Sequence, residues 1–505
     1  MRKMKLAAAM ICLCSIVITN VGVYAYTGSM GYEGGISAAD PYVSNTYQYR
    51  EACFLTGSPI ILEGTMTVKK NVRQGKINTT YTYNLANAQQ NATLTRVVVM
   101  DTITETKENG QTTETSTITK RPTENIKVGD IIFSLTDYQF SRSGINDPKP
   151  AVLYNVGEYQ LTKTYSIIGS KGTITLEMTG TQYGFDQYWG STKSGTVNLI
   201  ISASLEGSPT WGGLAQVVVS STAKKGFRYV ENQPWQISFE GGYVEQDWEE
   251  SVLEYNATLP EFDKNGNATE VLKDYQQRLG LETEPVNTRL MVPDLKHLKG
   301  HWAEESAKIL FSMEVIPGNG ENFNPAQYVK RSEYIAMVVR AIKDIPVDPD
   351  LITRTVSTTR SKSSAAEVSP FSDVAPEDKF YSEIKAASIK GITLGTGQTM
   401  FTPDRIITTA EAVTILIRAL GLEGLAPSNA VTPFIDNDDI PAYARNATTV
   451  AYRIGLVQGD NRGYFKPQES LTWERASAVV YRLIRYMGED LVRDYQNQST
   501  WAKVP

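Results

Sequence analysis

Three short stretches decide the predicted fold of the C-terminal part of this chain: Phe323-Asn324-Pro325, Phe401-Thr402-Pro403 and Phe465-Lys466-Pro467. The first interval between them is somewhat longer than the second. A glycine precedes each stretch, at Gly318, Gly395 and Gly459, and an aspartate begins each unit, at Asp294, Asp373 and Asp436. Motifs that recur in one order and nearly one frame predict three internal repeats.

Each predicted repeat closes with an amphipathic helix. Apolar residues follow the i, i+3, i+4, i+7 spacing of a single helix face. These residues are Tyr334, Met337, Val338 and Ala341 in the first unit, Ala412, Ile415, Leu416 and Ala419 in the second, and Ala476, Val479, Val480 and Leu483 in the third. A single helix–loop–helix unit of this size buries little apolar surface. We therefore expect the three units to share one core, with grooves between neighbouring units.

Further motifs flank these landmarks in the same order in each unit. They are His301-Trp302-Ala303 and Lys330-Arg331-Ser332-Glu333, then Phe371-Ser372-Asp373-Val374 and Thr408-Thr409-Ala410-Glu411, then Phe434-Ile435-Asp436 and Thr472-Trp473-Glu474-Arg475. Residues from about 291 to 488 therefore resemble S-layer homology domains. The resemblance implies a three-pronged, pseudo-symmetric helical module. It also implies non-covalent binding of secondary cell-wall polysaccharide, commonly pyruvylated, in the grooves between units.

The resemblance also marks candidate polysaccharide-binding residues. Arg331 alone matches the family arginine, since Thr409 and Trp473 stand at the corresponding places. A guanidinium suits a sugar carboxylate, although an exposed arginine paired with Glu333 is the competing interpretation. Trp302 and Tyr443 are expected chiefly in the core, with sugar stacking as the alternative. The other candidates are Asp294, Asp373 and Asp436, for which capping is an equal alternative, and Gly318, Gly395 and Gly459, which permit sharp turns.

The N-terminal half is predicted to be all-β. Thr102–Thr106 and Thr113–Thr119 flank Asn109-Gly110, which predicts a type I′ hairpin. Tyr159–Ile168 and Thr173–Met178 predict a second hairpin, and further β-branched runs follow at 197–205 and 214–221. We therefore expect one or two antiparallel β-sandwiches. The chain thus has a multidomain fold class, with an all-β region before an all-α repeat module.

A polar turn and a short helical pattern follow Pro260. Glu270–Leu281, closed by Gly280, predicts a connector helix. Alternating oxygen ligands at Asp263, Asn265, Asn267 and Glu270 resemble a truncated calcium loop, but the spacing favours an ordinary turn. No metal or cofactor is expected.

The first residues predict export. Arg2, Lys3 and Lys5 precede an apolar stretch that ends near Val23-Tyr24-Ala25, which is typical of a signal peptide cleaved after Ala25. No transmembrane segment would then be retained, and Cys53 would be the one cysteine left. The predicted division is 1–25 signal peptide, 26–262 β-rich surface region, 263–288 connector helix, 289–345 first repeat, 346–370 linker, 371–425 second repeat, 432–488 third repeat and 489–505 C-terminal tail.

The composition excludes some classes of function. A formal net charge of -6 excludes a generally basic nucleic-acid binder. The two histidines, His297 and His301, lie in the first repeat, so an imidazole-based active site within residues 26–288 is excluded. A carboxylate-pair glycosidase stays open, with Asp186, Glu245, Asp247, Glu249 and Glu250 available. The aromatic residues Tyr183, Phe185, Tyr188, Trp189, Trp211, Trp235 and Trp248 favour core positions over a sugar-stacking surface.

These observations favour a secreted, non-enzymatic surface protein. Its repeats would hold it to secondary cell-wall polysaccharide, as an S-layer or accessory envelope component. The alternative is an anchored polysaccharide hydrolase or carbohydrate binder. Self-association in a surface lattice is left open.

Overall fold

A computed structural model describes residues 34–39, 45–73, 75–169, 171–207, 209–232, 241–264, 266–346, 369–397 and 399–496. The predicted signal peptide, most of the predicted linker at 346–370, Trp235, Asn265 and the last nine residues lie outside the described residues.

The N-terminal half is one antiparallel sheet, which confirms the all-β prediction. Within the described residues its strands are β1 (Ile36–Ala39), β2 (Thr46–Cys53), β3 (Ile60–Arg73), β4 (Lys76–Asn87), β5 (Ala92–Thr106), β6 (Thr112–Val128), β7 (Ile131–Pro148), β8 (Leu153–Ile167), β9 (Gly172–Gln187), β10 (Gly190–Leu205), β11 (Trp211–Val230), β12 (Gly242–Phe262), β13 (Ala268–Glu282) and β14 (Val286–Arg289). Each strand from β1 to β12 pairs with the next along the chain, and β14 pairs with β12 on the same side as β13. From β1 to β13 every connection joins neighbouring strands, so this part of the sheet has no crossover.

One face of this sheet forms a continuous apolar core. Alternate residues point inward, as in β10, where Val197, Leu199 and Ile201 are buried and the residues between them are exposed. The sheet curls until its first strands meet its last ones: Arg50 Nη1 donates to Gly280 O at 2.8 Å, and Ser251 Oγ donates to Ser37 O at 2.8 Å. A single curled meander therefore encloses the core that two facing sheets would enclose in the predicted sandwich.

The predicted β5–β6 hairpin is present, but its turn differs from the predicted type I′. Gly110 has φ 82°, whereas Asn109 is not among the residues with positive φ. Gly110 N donates to Lys107 O at 3.0 Å and Lys107 N donates to Gln111 O at 2.8 Å. The loop is thus a turn over Lys107–Gly110 with one left-handed glycine, because the connection between the paired strands is longer than a two-residue loop.

The predicted connector helix at 263–288 is wrong: this segment forms β13 and β14. Gly280 lies opposite Val252 within the ladder and does not end a helix. The exposed edge of β12 offers backbone partners along its length, and this tertiary pairing overrides the weak helical spacing of Leu272, Tyr275 and Leu279. The β region therefore extends to Arg289 and not to residue 262. The turn before β13 is an ordinary one, in which Asn267 N donates to Asp263 Oδ1 at 2.9 Å.

Two main helices form each repeat, as predicted. They are α1 (Glu304–Ser312) and α2 (Arg331–Ile342), α3 (Tyr381–Ile389) and α4 (Thr409–Leu420), and α5 (Ala442–Arg453) and α6 (Trp473–Arg485). The first helix of each repeat packs on the second helix of the preceding one: α3 on α2, α5 on α4, and α1 on α6. Because α1 closes onto α6, the three repeats form a ring around one core.

A cyclic set of backbone hydrogen bonds lies at the centre of the ring. Val329 N donates to Leu471 O at 2.9 Å, Leu471 N to Ile407 O at 3.0 Å, and Ile407 N to Val329 O at 3.1 Å. These residues stand at equivalent places in the three repeats, each a fixed step after its Phe-x-Pro stretch. The structure therefore places three repeats around a pseudo-threefold axis.

The sheet sits on the C-terminal ends of the second helices. Trp189 Nε1 donates to Ala341 O at 2.7 Å, and Ala151 N donates to Ala419 O at 3.0 Å. Gln187 Nε2 reaches Met487 O just beyond α6. Trp189 and Phe185 are fully buried and belong to the same apolar core as the helices, so the predicted core role of these aromatic residues holds.

The predicted C-terminal tail at 489–505 begins as helix. A π-helical segment, Tyr486–Asp490, continues α6 into α7 (Leu491–Gln496). Leu491 and Val492 are buried in the shared core, which explains why the chain stays helical there.

Candidate functional site

Each second helix begins against the Phe-x-Pro loop of the next repeat. Arg331 N donates to Arg405 O, Thr409 N to Glu469 O, and Trp473 N to Gln327 O, at 2.8 to 3.0 Å. The following residue of each helix donates to Pro403, Pro467 or Pro325. Repeat equivalence therefore defines three grooves. The first contains Arg331, Phe401, Arg405, Glu411 and Tyr443; the second contains Thr409, Phe465, Glu469, Arg475 and Trp302; the third contains Trp473, Phe323, Gln327, Glu333 and Lys379.

Arg331 is a buried contact between the first and second repeats. Its side chain lies over the Phe401 ring at 5.0 Å, and only 4% of the residue is exposed. Nε donates to Phe401 O at 3.1 Å, Nη2 to Thr393 Oγ1 at 3.2 Å, and Nη1 lies 3.7 Å from Glu411. Burial lowers the pKa of this guanidinium, and Glu411 opposes that shift. The exposed arginine paired with Glu333 is wrong, because the side chain turns inward across the repeat boundary.

The expected core position of Trp302 and Tyr443 is also wrong. Trp302 is 61% exposed and Tyr443 is 50% exposed. Tyr443 faces Glu411 and Arg331 and hydrogen-bonds Thr408, and burial of its hydroxyl together with Glu411 raises its pKa. These rings stand at equivalent places in their repeats, Trp302 just before α1 and Tyr443 in the first turn of α5, and each can offer a flat face to a sugar.

The three aspartates do not share one role. Asp373 accepts bonds from Phe401 N at 2.8 Å and Thr402 N at 2.7 Å. Asp436 does the same for Phe465 N and Lys466 N, at 2.8 and 2.7 Å. Asp294 instead lies at the surface, 3.6 Å from Lys296 Nζ. Two of the aspartates therefore hold their Phe-x-Pro loops, which is the capping alternative.

The three glycines differ as well. Gly318 has φ 101° with open space where a Cβ would stand. A Cβ on Gly395 would lie 2.4 Å from Met400 O, and one on Gly459 would lie 3.2 Å from the Phe434 ring. Gly395 also has a positive φ, at 79°. The last two positions are therefore restricted by packing, and Gly318 is restricted by its backbone.

Sequence reasoning missed an ion pair beside the first groove and its counterpart in the second. Arg405 binds Glu411 in the second repeat, and Arg475 binds Glu469 at 2.6 Å in the third. The charges stand in reverse order at equivalent positions of the two repeats, and the repeat alignment could have found this signal.

The carboxylates of the sheet are dispersed among polar partners. Lys225 Nζ lies 3.3 Å from Glu245 and 2.6 Å from Asp247, and Lys224 lies 2.9 Å from Glu250. Asp186 accepts a bond from Asn155, and Glu249 is buried against β1. Among the described residues, no group of three or more His, Cys, Asp or Glu side chains is placed to hold a metal ion. No helix in the described part of the chain is long and apolar enough to cross a membrane.

The S-layer homology domain family matches residues 294–335 and 370–413. The chain is 27% identical over 194 residues to an amylopullulanase of Thermoanaerobacterium thermosulfurigenes, which covers 38% of this chain and 9% of that protein. It is 29% identical over 177 residues to an endoglucanase of Bacillus sp. (strain KSM-635), with 34% and 17% covered. It is 32% identical over 127 residues to a cell surface protein of Thermoanaerobacter kivui, with 25% and 16% covered.

The chain spans less than a fifth of the length of each of these relatives. The helical half nevertheless contains S-layer homology repeats, two of them matched by the family. The third unit shares their ring of backbone contacts, and its Asp436 makes the loop contacts of Asp373.

Proposed function

We propose that the three repeats anchor this protein non-covalently to an acidic, carboxylate-bearing polysaccharide of the bacterial cell wall, at the cell surface. The observation that carries this proposal is the composition of the first groove. Arg331 and Arg405 flank the single carboxylate of Glu411, and the exposed Tyr443 ring stands beside them. The three charged groups sum to one positive charge.

Each part of this groove suits a sugar that carries a carboxylate, such as a pyruvate ketal. Arg405 is 41% exposed at its side chain and can present its guanidinium to an incoming acid. Arg331 lies behind it as a positioning residue, since its own donors hold Phe401 and Thr393. Tyr443 supplies a ring face for stacking. The net charge of the whole chain is negative, so affinity must come from these local contacts.

The β sheet is then the part displayed outward, without catalytic function, in an S-layer or accessory envelope role. The names of two relatives, an amylopullulanase and an endoglucanase, favour the alternative that the displayed half acts on or binds polysaccharide. Those matches cover at most 17% of the relatives, which is small enough for shared anchoring repeats alone. Lattice formation by the displayed half stays part of this proposal.

Binding of the full chain to purified wall sacculi tests the anchor. Arg405→Gln and Tyr443→Ala should each weaken co-sedimentation about tenfold, which corresponds to about 1.4 kcal/mol. Ile389→Ala removes an exposed apolar side chain from α3, outside the grooves, and should bind like the parent. Sacculi stripped of their secondary polysaccharide should retain little of the chain. Equal retention on stripped sacculi would contradict the proposal.

The same preparations test the display role. We expect no release of reducing sugars from wall or plant polysaccharides. Release that is lost when one sheet carboxylate, such as Glu245 or Asp247, is changed to its amide would establish the hydrolase alternative instead.

A further inference from the structure

The first and second grooves are built on one frame with opposite charge order. Arg405 and Glu411 in the second repeat correspond by position to Glu469 and Arg475 in the third. Thr409 stands in the second groove where Arg331 stands in the first, and its Oγ1 donates to Glu469 O at 3.2 Å. The arginine that crosses the repeat boundary is therefore absent from the second groove.

The second groove also gains an acid that the first lacks. Glu474 Oε2 lies 3.3 Å from His301 Nε2, and this pair joins the start of α1 to the start of α6. In the first groove the two corresponding residues are Ala442 and Ala410. The side chains of Glu469, Glu474 and Arg475 carry charges that sum to one negative charge. A sugar carboxylate placed here would face two acids and one arginine, whereas in the first groove it would face one acid and two arginines.

The aromatic part of the site is nevertheless kept, and it is enlarged. Trp302 takes the place of Tyr443, is the more exposed of the two rings, and stacks on His301 with ring centroids 5.8 Å apart. An indole face next to carboxylates suits the apolar face and the hydroxyl groups of a sugar ring, because carboxylates accept hydrogen bonds from hydroxyls.

We propose that the second groove binds an uncharged, hydroxyl-rich sugar ring of the wall polymer, with Trp302 as the stacking surface and Glu469 and Glu474 as acceptors. This inference rests on the anchoring function proposed above. The two grooves would then read different residues of one polymer, an acidic sugar in the first groove and a neutral one in the second.

Two forms of the released wall polysaccharide separate these roles: the native polymer and the same polymer with its carboxyl groups reduced to alcohols. The parent chain should bind the reduced polymer about tenfold more weakly. Arg405→Gln should remove that difference. Trp302→Ala should weaken binding to both polymers by a similar factor, about five- to tenfold, and Trp302→Phe should recover part of it. Ile389→Ala serves as the matched control.

The failures are distinguishable. If the parent binds neither polymer, the anchoring function itself is wrong, and the second groove falls with it. If the parent binds and Trp302→Ala binds like the parent, the second groove is not a subsite. If Trp302→Ala weakens binding to the native polymer alone, the groove recognises the carboxylate and the inference is overturned. Thermal melting of each variant shows whether the fold is intact.

Discussion

Asp373 and Asp436 hold a strained residue in each loop. Thr402 and Lys466, which follow the loop phenylalanine, have φ of 57° and 56°. This left-handed conformation costs a residue with a side chain roughly 1 to 2 kcal/mol. Each aspartate binds the N–H of that residue and the N–H before it, with both carboxylate oxygens. Such charge-assisted bonds are strong enough to offset the strain.

Asp373→Ala should therefore lower the free energy of unfolding by about 2 to 3 kcal/mol, because two partly buried N–H donors lose a charged acceptor. Asp294→Ala is the matched control in the first repeat. Its carboxylate lies at the surface beside Lys296, so the change should cost less than about 0.5 kcal/mol. Urea unfolding of the two variants decides the point. Equal losses would mean that the aspartates share one role after all.

The sequence already contained a sign of this difference. The step from Asp294 to Asp373 is one position longer than the step between the phenylalanines of the same two units. Asp294 N donates to Asn319 O, and in the second repeat Ser372 N donates to Thr399 O. Ser372, the residue before Asp373, is therefore the structural counterpart of Asp294. The burial of Arg331 could not be predicted in this way, since its partners Thr393 and Phe401 lie in another repeat, far along the chain.

At the scale of helices and strands, the elements that could be predicted are those whose own sequence pattern indicates their conformation. The apolar spacing of α2, α4 and α6 names the face that is buried, and the β-branched runs of β8 to β11 name strands. The strand β13 was not predictable. Its residues are mostly exposed on both faces and carry no strong alternation, so its conformation comes from pairing with β12. The curled closure of the sheet likewise depends on contacts between its first and last strands, which are distant in sequence.

The first strand, β1, is held by a buried acid. Glu249 on β12 accepts a bond from Ala39 N at 2.8 Å through Oε2, and within the described residues Oε1 is buried without a hydrogen-bond partner. Burial raises its pKa from 4.5 to about 7, although the bond from Ala39 and the charge of Lys193 oppose the shift. The carboxyl therefore keeps its proton to a higher pH in the folded chain than in the unfolded one.

This shift predicts that the contribution of Glu249 to stability falls as pH rises. Between about pH 4.5 and 7 the folded chain keeps a proton that the unfolded chain releases, so the free energy of unfolding decreases with pH. Glu249→Gln should be more stable than the parent above pH 7, by about 2 to 3 kcal/mol, and the difference should vanish below pH 4.5. Urea unfolding at pH 4 and pH 8 measures it.

Glu250→Gln, at the exposed neighbouring position paired with Lys224, should show no such dependence. If Glu249→Gln is less stable than the parent at pH 8, the charged form is favoured in the fold and the assignment is wrong.

Across the whole molecule, the second helices of the repeats begin at the grooves and end against the sheet. Arg331, Thr409 and Trp473 open these helices at the grooves, while Ala341 and Ala419 near their C-terminal ends receive hydrogen bonds from the sheet. Helices of 12 or 13 residues are about 18 to 20 Å long. The proposed sugar-binding end and the displayed sheet are therefore separated by the length of these helices. A polymer bound in the grooves would not contact the sheet where the sheet packs on the helices.

Because a few residues of the sheet, Ala151, Val152, Phe185 and Trp189, are packed into the core of the repeats, we expect the two halves to unfold together. Trp189 is fully buried between them, with its ring against Phe227 at 5.6 Å and its Nε1 on Ala341 O. Trp189→Ala should lower the free energy of unfolding by about 3 to 5 kcal/mol while leaving a single transition. Trp302→Ala removes the same side chain from an exposed place and should cost less than about 1 kcal/mol.

Hydrogen exchange then shows whether the sheet and the repeats unfold cooperatively or independently. In the Trp189→Ala variant, amides in the sheet, such as those of Leu199 and Val217, and amides in the helices, such as those of Ile335 and Val338, should lose protection together. Loss confined to the helices would show that the sheet is a separate folding unit.

The boundary between the sheet and the repeats matters for anchoring experiments. A fragment that begins at residue 289 lacks the sheet and would expose the buried side chains of Ile342, Leu420 and Met487. We expect that fragment to aggregate and to bind sacculi less specifically than the whole chain, because the core of the repeats loses the sheet residues packed into it, Phe185 and Trp189 among them, while the grooves are unchanged.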